Sequence, residues 1–280
     1  MVTHDPIFSE FDVVEVETDG ASIYDFLGVG TQVRFKKGWS RFAPEAGTRF
    51  SAELPVLNEH YLDWVAVLES VTRARGVYRF VELGAGWGTW SSTALAAVRQ
   101  RREIHDVEAV AVEADLTHWQ WMEDHFRKNG LLTAGVHLIH GAVSAEPGEI
   151  SFPVIENPDE DYGASLRGTA TAPKHVTVRA YTIEELLNRM SGPADFMHID
   201  IQGAEYDMVP QVIGVLNDRV KAVLVGTHLS SDGHHSMVTL FRNAGWRIRM
   251  DYERAQLCET PYGPVQLGDG VVVAENSKFD

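Results

Sequence analysis

Cysteine is almost missing from this chain: Cys258 is its single cysteine in 280 residues. One thiol excludes an internal disulfide and any zinc site built from several cysteines, so we expect a reducing, cytoplasmic location. The N-terminal residues lack the basic and apolar segments of a signal peptide, and no apolar run reaches the ~18 residues of a membrane span. We therefore expect neither secretion nor membrane insertion.

Basic residues are also scarce. Lysine and arginine number 24 against 40 aspartates and glutamates, which gives a formal net charge of −16. Nucleic acids and anionic lipids are bound through basic surfaces, so neither is expected as a partner. The 44% apolar and 23% charged residues are ordinary for a globular protein. Assembly into a homo-oligomer is left open.

Short apolar runs alternate with helical patterns from residue 77 onward, which predicts parallel strands joined by helical crossovers. The last two runs have no helix between them, so an antiparallel edge is expected. The sequence thus predicts an α/β fold with a seven-stranded, mostly parallel sheet and helices on both faces. The predicted strands are residues 77–83, 107–114, 135–141, 195–201, 221–229, 246–250 and 270–275. The predicted helices between them are residues 90–101, 116–130, 182–190, 208–218 and 236–245.

The predicted catalytic domain spans residues 55–280, and residues 1–54 form an irregular N-terminal extension. The apolar periodicity of residues 55–76 predicts an amphipathic helix with Pro55 in its first turn. Within the extension, "TQVRFKKGW" (31–39) alternates apolar and polar residues as a strand does. Residues 155–175 combine the acidic run "ENPDED" with small residues. Long loops of this kind often cover active sites, so we interpret this one as a mobile lid.

The glycine-rich stretch "VELGAGWGTWS" (81–91) lies between a predicted strand and a helix. Its glycines follow the pattern GxGxG, whereas a dinucleotide loop has GxGxxG and would need glycine at Thr89. The acid expected to bind ribose, Glu113, lies 29 residues after Gly84 (113 − 84) rather than about 20. Glu82 would repel a pyrophosphate but attract an ammonium group. These features indicate S-adenosylmethionine, with the glycines allowing close approach of the ligand, and they disfavour a nicotinamide-dependent oxidoreductase.

Three motifs together resemble the FkbM-type S-adenosylmethionine-dependent methyltransferases, a class I, Rossmann-like family. They are "FVELGAGWGTWS", "AVEAD" and "HIDIQGAEYDMV". The resemblance covers about residues 78–275. Gln202 stands where the family usually has glutamate, so any acid–base role at that position is not carried over.

The resemblance implies transfer of a methyl group to a hydroxyl, often of a sugar or a polyketide-like natural product. It places Glu82, Gly84 and Gly86 at the methionine end of the cofactor and Glu113 at the ribose. Ala114 and Asp115 would lie on one side of the adenine ring and Ala142 on its other face. Asp200 would lie where the methyl donor and the acceptor meet. Trp87, between two loop glycines, is the tryptophan most suited to ligand contact. The predicted cofactor-binding residues are Glu82, Gly84, Ala85, Gly86, Trp87, Glu113, Ala114, Ala142 and Asp200.

An alcohol acceptor must lose a proton, which requires a base or a metal ion. Asp200 and His228 are the predicted catalytic residues, because each follows a central strand and an imidazole with a pKa near 6.5 suits this task. Simpler roles remain open: Asp200 could cap the following loop, and His228 could only hydrogen-bond at a strand end. His198 is expected to be a buried histidine with its hydrogen bonds satisfied.

Two alternatives remain at this stage. A magnesium ion could be held by carboxylates and imidazoles at this edge of the sheet, although no tightly spaced ligand motif is present. The residues considered for it are Asp200, Glu205, His228 and His234. The chain could also be a catalytically silent domain that binds S-adenosylmethionine or a partner.

Overall fold

A computed structural model describes residues 4–163 and 174–279; residues 164–173 of the predicted lid lie outside the described residues. The helices are α1 (Tyr61–Arg73), α2 (Thr89–Val98), α3 (Leu116–Lys128), α4 (Ile183–Leu187), α5 (Glu205–Arg219) and α6 (Ser231–Asn243). The strands before the glycine loop are β1 (Glu15–Glu17), β2 (Ser22–Tyr24), β3 (Gly30–Gln32), β4 (Arg49–Ser51) and β5 (Gly76–Leu83). The next are β6 (Ile104–Glu113), β7 (Val136–His140), β8 (Ala142–Val143), β9 (Gly148–Pro153), β10 (His175–Tyr181) and β11 (Phe196–Ile199). The last are β12 (Ala222–Thr227), β13 (Trp246–Tyr252), β14 (Leu257–Thr260), β15 (Gly263–Gln266) and β16 (Gly270–Asn276).

Seven strands form the central sheet in the order β13-β16-β12-β11-β5-β6-β7. Strands β5, β6, β7, β11 and β12 pair in parallel, whereas β16 runs antiparallel to both β12 and β13. The predicted class I arrangement, a mostly parallel seven-stranded sheet with an antiparallel edge, is confirmed. The strand order reverses between β5 and β11, and ligands of open α/β sheets bind at such a switch point.

Alternate side chains of β5 enter two separate apolar layers, because neighbouring residues of a strand point to opposite faces. Phe80 packs in the layer that contains residues of α1, α2 and α3. Val81 packs in the other layer, with residues of α4, α5 and α6. Both faces of the sheet are therefore covered, which explains why its strands read as nearly continuous apolar runs.

Helix α1 begins six residues later than predicted, at Tyr61, so Pro55 does not lie in its first turn. The side chain of Asn58 accepts a hydrogen bond from the backbone N–H of His60 at 2.9 Å and closes a turn ahead of the helix. The predicted apolar stripe is otherwise buried from the first helical residue onward. The buried members are Tyr61, Val65, Leu68 and Val71, whereas Leu57, the fifth residue of the predicted stripe, precedes the helix and is half-buried.

The N-terminal extension is irregular over the residues that the structure describes. The strand expected in residues 31–39 is not formed over most of this range. Only its first two residues belong to a strand, the end of β3, and 3-10 turns follow at Val33–Phe35 and Trp39–Phe42. Phe8 and Phe26 pack into the same core layer as α1. The extension is therefore anchored on the sheet domain, and the boundary between residues 54 and 55 stays a prediction.

Four small sheets of the described residues were not predicted: β1-β4 and β2-β3 in the extension, and β8-β10-β9 and the hairpin β14-β15 in the sheet domain. Their strands are short and partly exposed, so they lack the apolar runs that mark the central strands. Among the described helices, none combines the length and the apolar character needed to cross a bilayer.

Candidate active site

A cavity of about 390 Å³ lies at the carboxyl ends of β5, β6 and β11, at the switch point of the sheet. All nine predicted cofactor-binding residues line it. Sequence analysis missed several other lining residues, among them Lys36, Trp39, His60, Trp64, His118, Phe152 and Tyr162. These residues come from the extension, from α1 and the residue before it, from the first turn of α3, and from β9 and the loop after it, where no recognisable motif marks them.

The three loop glycines all adopt left-handed backbone conformations, with φ of +76° at Gly84, +56° at Gly86 and +77° at Gly88. A Cβ atom on Gly84 would lie 1.8 Å from the carbonyl oxygen of Asp200, and one on Gly88 would lie 2.5 Å from the ring of Phe126. A Cβ atom on Gly86 would meet its nearest neighbour only at 3.8 Å. The prediction that all three glycines make room for a ligand is therefore corrected: Gly84 and Gly88 make room for protein, and Gly86 leaves space at the cavity.

Glu82 is almost completely buried beneath the first turn of α2. Its Oε1 accepts a hydrogen bond from the backbone N–H of Trp90 at 3.0 Å, and its Oε2 accepts one from Ser91 at 2.8 Å. Burial raises the pKa of this carboxyl group. Because Gly88 at the N-cap has no side chain, Glu82 caps the helix from the neighbouring strand. Glu82 thus has a structural role in addition to the ligand role predicted for it.

Glu113 ends β6 and connects the glycine loop to α3. Its Oε2 accepts a hydrogen bond from the N–H of Gly86 at 2.8 Å, and its Oε1 accepts one from Asp115 at 2.7 Å. Burial raises the pKa of Glu113 to about 7. The expected contact of Asp115 with adenine is not supported, because its side chain instead caps α3 through the N–H of His118 and does not line the cavity.

Aromatic side chains form one wall of the cavity. The ring of Trp87 meets those of Tyr162 and Trp39 edge-on, with centroids 4.8 and 5.6 Å apart. Tyr162 also stacks on His118 at 4.4 Å. Tyr162 belongs to the described part of the predicted lid, in which the backbone carbonyl of Asp159 accepts a hydrogen bond from the backbone N–H of Lys37 at 2.9 Å. The extension and residues 155–163 therefore contact each other beside the cavity.

Asp200 and His228, the two predicted catalytic residues, are brought together at the ends of β11 and β12. His228 Nε2 lies 3.0 Å from Asp200 Oδ1, and His228 Nδ1 lies 2.9 Å from Glu205 Oε1. Burial lowers the pKa of His228, but hydrogen bonds to the two carboxylates outweigh it and raise the pKa to about 10. This shift favours the imidazolium at neutral pH, which argues against His228 as the base, and the catalytic roles of both residues stay predictions.

The loop "DIQGAE" after β11 fixes the position of Asp200. Gln202 adopts φ of +53°, unusual for a residue with a side chain, and its amide donates a hydrogen bond to Asp200 Oδ1 at 2.8 Å. Glu205, fully buried, accepts a hydrogen bond from the N–H of Gly203 at 2.8 Å. Burial raises the pKa of Asp200, but the interactions with His228 outweigh it and lower the pKa below its usual range. Sequence reasoning assigned no positioning role to Gln202 or Glu205.

His198 does not match its expectation fully. Its imidazole is 2% exposed and lines the cavity, and Nε2 lies 2.9 Å from Asp63 Oδ1 of helix α1. Nδ1 is buried and has no hydrogen-bond partner within residues 4–163 and 174–279. The residue is thus buried as predicted, but only one of its two nitrogens is satisfied.

The alternative metal site is not supported. His234 is buried, with Nδ1 2.8 Å from Thr227 Oγ1 and Nε2 2.9 Å from Asp251 Oδ1, so both of its nitrogens are engaged by residues outside the proposed metal site. In the part of the chain that the structure describes, no three histidine, cysteine or acidic side chains are arranged to hold a metal ion. His234 lies inside α6, which begins at Ser231, five residues before the predicted start at residue 236.

Two sequence comparisons with known proteins both match methyltransferases. Residues 76–248 match the sequence model described as the methyltransferase FkbM domain. A curated protein of Jannaschia sp. (strain CCS1), named as an inferred methyltransferase, is 30% identical over 221 residues, covering 75% of this chain and 77% of its own.

Similar solved structures are more distant. The methyltransferase FkbM of Methylobacillus flagellatus KT is 11% identical with a TM-score of 0.48, covering 72% of this chain and 45% of its own. The precorrin-6y C5,15-methyltransferase of Geobacter metallireducens GS-15 is 12% identical with a TM-score of 0.46, and the match covers 80% of this chain and 92% of its own. Family membership rests on the sequence matches.

Proposed function

Because this chain belongs to the FkbM methyltransferase family, we propose that it transfers a methyl group from S-adenosylmethionine to a hydroxyl of a small molecule in the cytoplasm. The family implies the donor. A sugar or a polyketide-like natural product is the proposed class of acceptor. The observation that supports a hydroxyl is the carboxylate of Asp200, which lines the cavity and is paired with His228, a residue that does not line it.

The cavity fits the donor. Its volume of about 390 Å³ falls in the range of about 300–1,000 Å³ typical of small-molecule sites. Glu113 can accept hydrogen bonds from ribose hydroxyls, the backbone at Gly86 is open to the cavity, and Ala114 and Ala142 offer small apolar surfaces to adenine. When bound, S-adenosylmethionine supplies an electrophilic methyl group.

Asp200 is the residue that we propose to receive the hydroxyl proton. Its hydrogen bonds to His228 and Gln202 both fall on Oδ1, so Oδ2 remains available to accept a hydrogen bond from the acceptor. The hydroxyl oxygen becomes more acidic as it gains the methyl group, so a carboxylate of low pKa can take the proton at that stage. The imidazolium of His228 orients Asp200, and positioning supplies much of the rate enhancement.

Binding and turnover test this function separately. Tryptophan fluorescence, with Trp87 and Trp90 at the cavity, should report saturable binding of S-adenosylmethionine but not of NAD. Failure of S-adenosylmethionine to bind below millimolar concentration would refute the proposal. Transfer of labelled methyl groups to a panel of sugars and phenols, with and without EDTA, then distinguishes an enzyme from a silent binding domain and tests the magnesium alternative.

Affinity for S-adenosylhomocysteine is expected to rise with pH through the pKa of Glu113. The ionised carboxylate accepts from both ribose hydroxyls, and with a pKa of about 7 it is mostly protonated at pH 6 and mostly ionised at pH 8. The dissociation constant should therefore fall about 10-fold between these pH values. Calorimetric titration of wild type and Glu113→Gln measures this: the variant should bind more weakly and show a flatter profile, and an equally steep profile in the variant would contradict the assignment.

A further inference from the structure

The buried nitrogen of His198 is the feature that the function described so far does not use. His198 on β11 pairs with Glu82 on the neighbouring strand β5. The ring centroids of His198 and Trp90 are 5.7 Å apart. The hydrogen bond to Asp63 commits Nε2, while Nδ1 has no partner in the described residues. A buried polar atom without a partner is costly, so a ligand that supplies one should be favoured in this cavity.

The surroundings of His198 favour its charged form. Burial lowers its pKa, but the hydrogen bond to Asp63 and the negative charges of Asp63, Glu82 and Asp200 outweigh burial and raise the pKa. A charged imidazole carries N–H groups on both nitrogens. Nδ1 then acts as a donor, and the strongest partner for a buried, charged donor is an anionic oxygen.

We propose that His198 donates its Nδ1–H to the α-carboxylate of the methionine portion of S-adenosylmethionine, with Asp63 as the positioning residue that holds the ring. This inference rests on the proposed function. The α-amino-acid group is a zwitterion, and Glu82 and His198, an acidic and a basic side chain, lie side by side on neighbouring strands. The pair matches both ends of that zwitterion, with the carboxylate at His198 and the ammonium on the side of Glu82.

Decarboxylated S-adenosylmethionine is the probe that isolates this contact, because it differs from the cofactor by the carboxylate alone. Wild-type protein should bind S-adenosylmethionine about 10- to 100-fold more tightly than the decarboxylated compound, as expected for a charged hydrogen bond. In His198→Gln, whose amide can still reach Asp63 but does not replace Nδ1, this preference should fall to about 2-fold or less. His198→Asn, which places an amide near the position of Nδ1, should restore part of it.

A matched control is His235→Gln, which removes an exposed histidine that pairs with Glu253 Oε1 at 3.1 Å outside the cavity. It should keep the wild-type preference. If His198→Gln keeps the preference too, or instead raises only the KM of the acceptor, the inference is overturned, since the anion would then belong to the acceptor or to another site.

Imidazole nitrogen shifts of wild-type protein, measured by NMR, provide a second test that needs no variant. Nδ1 of His198 should shift on addition of S-adenosylmethionine and much less with the decarboxylated compound; equal shifts would overturn the inference. If wild type binds both compounds equally, the role of His198 alone fails. If it binds neither, the proposed function fails with it.

Discussion

Gly84→Ala is expected to destabilise the folded protein by at least ~4 kcal/mol, a loss comparable to the whole stability of many domains. The new Cβ atom would lie 1.8 Å from the carbonyl oxygen of Asp200, so either the glycine loop or the loop after β11 must move. The φ of +76° adds about 1–2 kcal/mol of strain for a residue with a side chain. Urea unfolding followed by circular dichroism measures the loss.

Gly86→Ala is the matched comparison, because it carries similar backbone strain without the collision. Its φ is +56° and its Cβ atom would meet nothing closer than 3.8 Å, so a cost of about 1–2 kcal/mol is expected. The methyl group would stand in the cavity, and binding of S-adenosylmethionine should weaken more than about 10-fold in a folded protein. Wild-type stability of Gly84→Ala, or wild-type binding by Gly86→Ala, would contradict the different roles assigned to these glycines.

The sheet was predictable because its signals are local. Most of the central strands are apolar runs covered on both faces of the sheet, whereas the edge strand β13 alternates apolar and exposed charged residues. Each observed strand overlaps its predicted range. Glu113 and Asp200 were also predictable as lining residues, since a residue at the carboxyl end of a central parallel strand lies near the switch point in any such sheet.

Tertiary pairings were not predictable. The charge of His228 depends on Glu205, 23 residues away in sequence, and the orientation of His198 depends on Asp63, 135 residues away. No pattern in one sequence joins such pairs. The reason for glycine at position 84 likewise lies in the carbonyl of Asp200 across the sheet. Helix α1 starts later than predicted because the side chain of Asn58 closes a turn ahead of it. This turn outweighs the preference of Pro55 for the first turn of a helix, on which the prediction was based.

Asp200→Asn is expected to lower kcat by about 10²- to 10⁴-fold, as for the loss of a general base, while binding of S-adenosylmethionine changes little. The amide is nearly the same size and can keep a contact to Gln202, but it cannot take a proton. Methyl transfer to an identified acceptor and calorimetric binding of the cofactor measure the two effects. Full activity in this variant would place the base elsewhere.

The same substitution should also change the titration of His228, which can be observed without any acceptor. Asp200 and Glu205 together raise the pKa of His228 to about 10, so its stabilising contribution is complete below the unfolded value near 6.5 and is lost as the pH rises towards 10. With asparagine at position 200, NMR should report a lower pKa, still held above 6.5 by Glu205, and the alkaline loss of stability should end at lower pH. An unchanged pKa would mean that Glu205 alone sets the charge of His228, and that the imidazolium does not depend on the carboxylate it is proposed to orient.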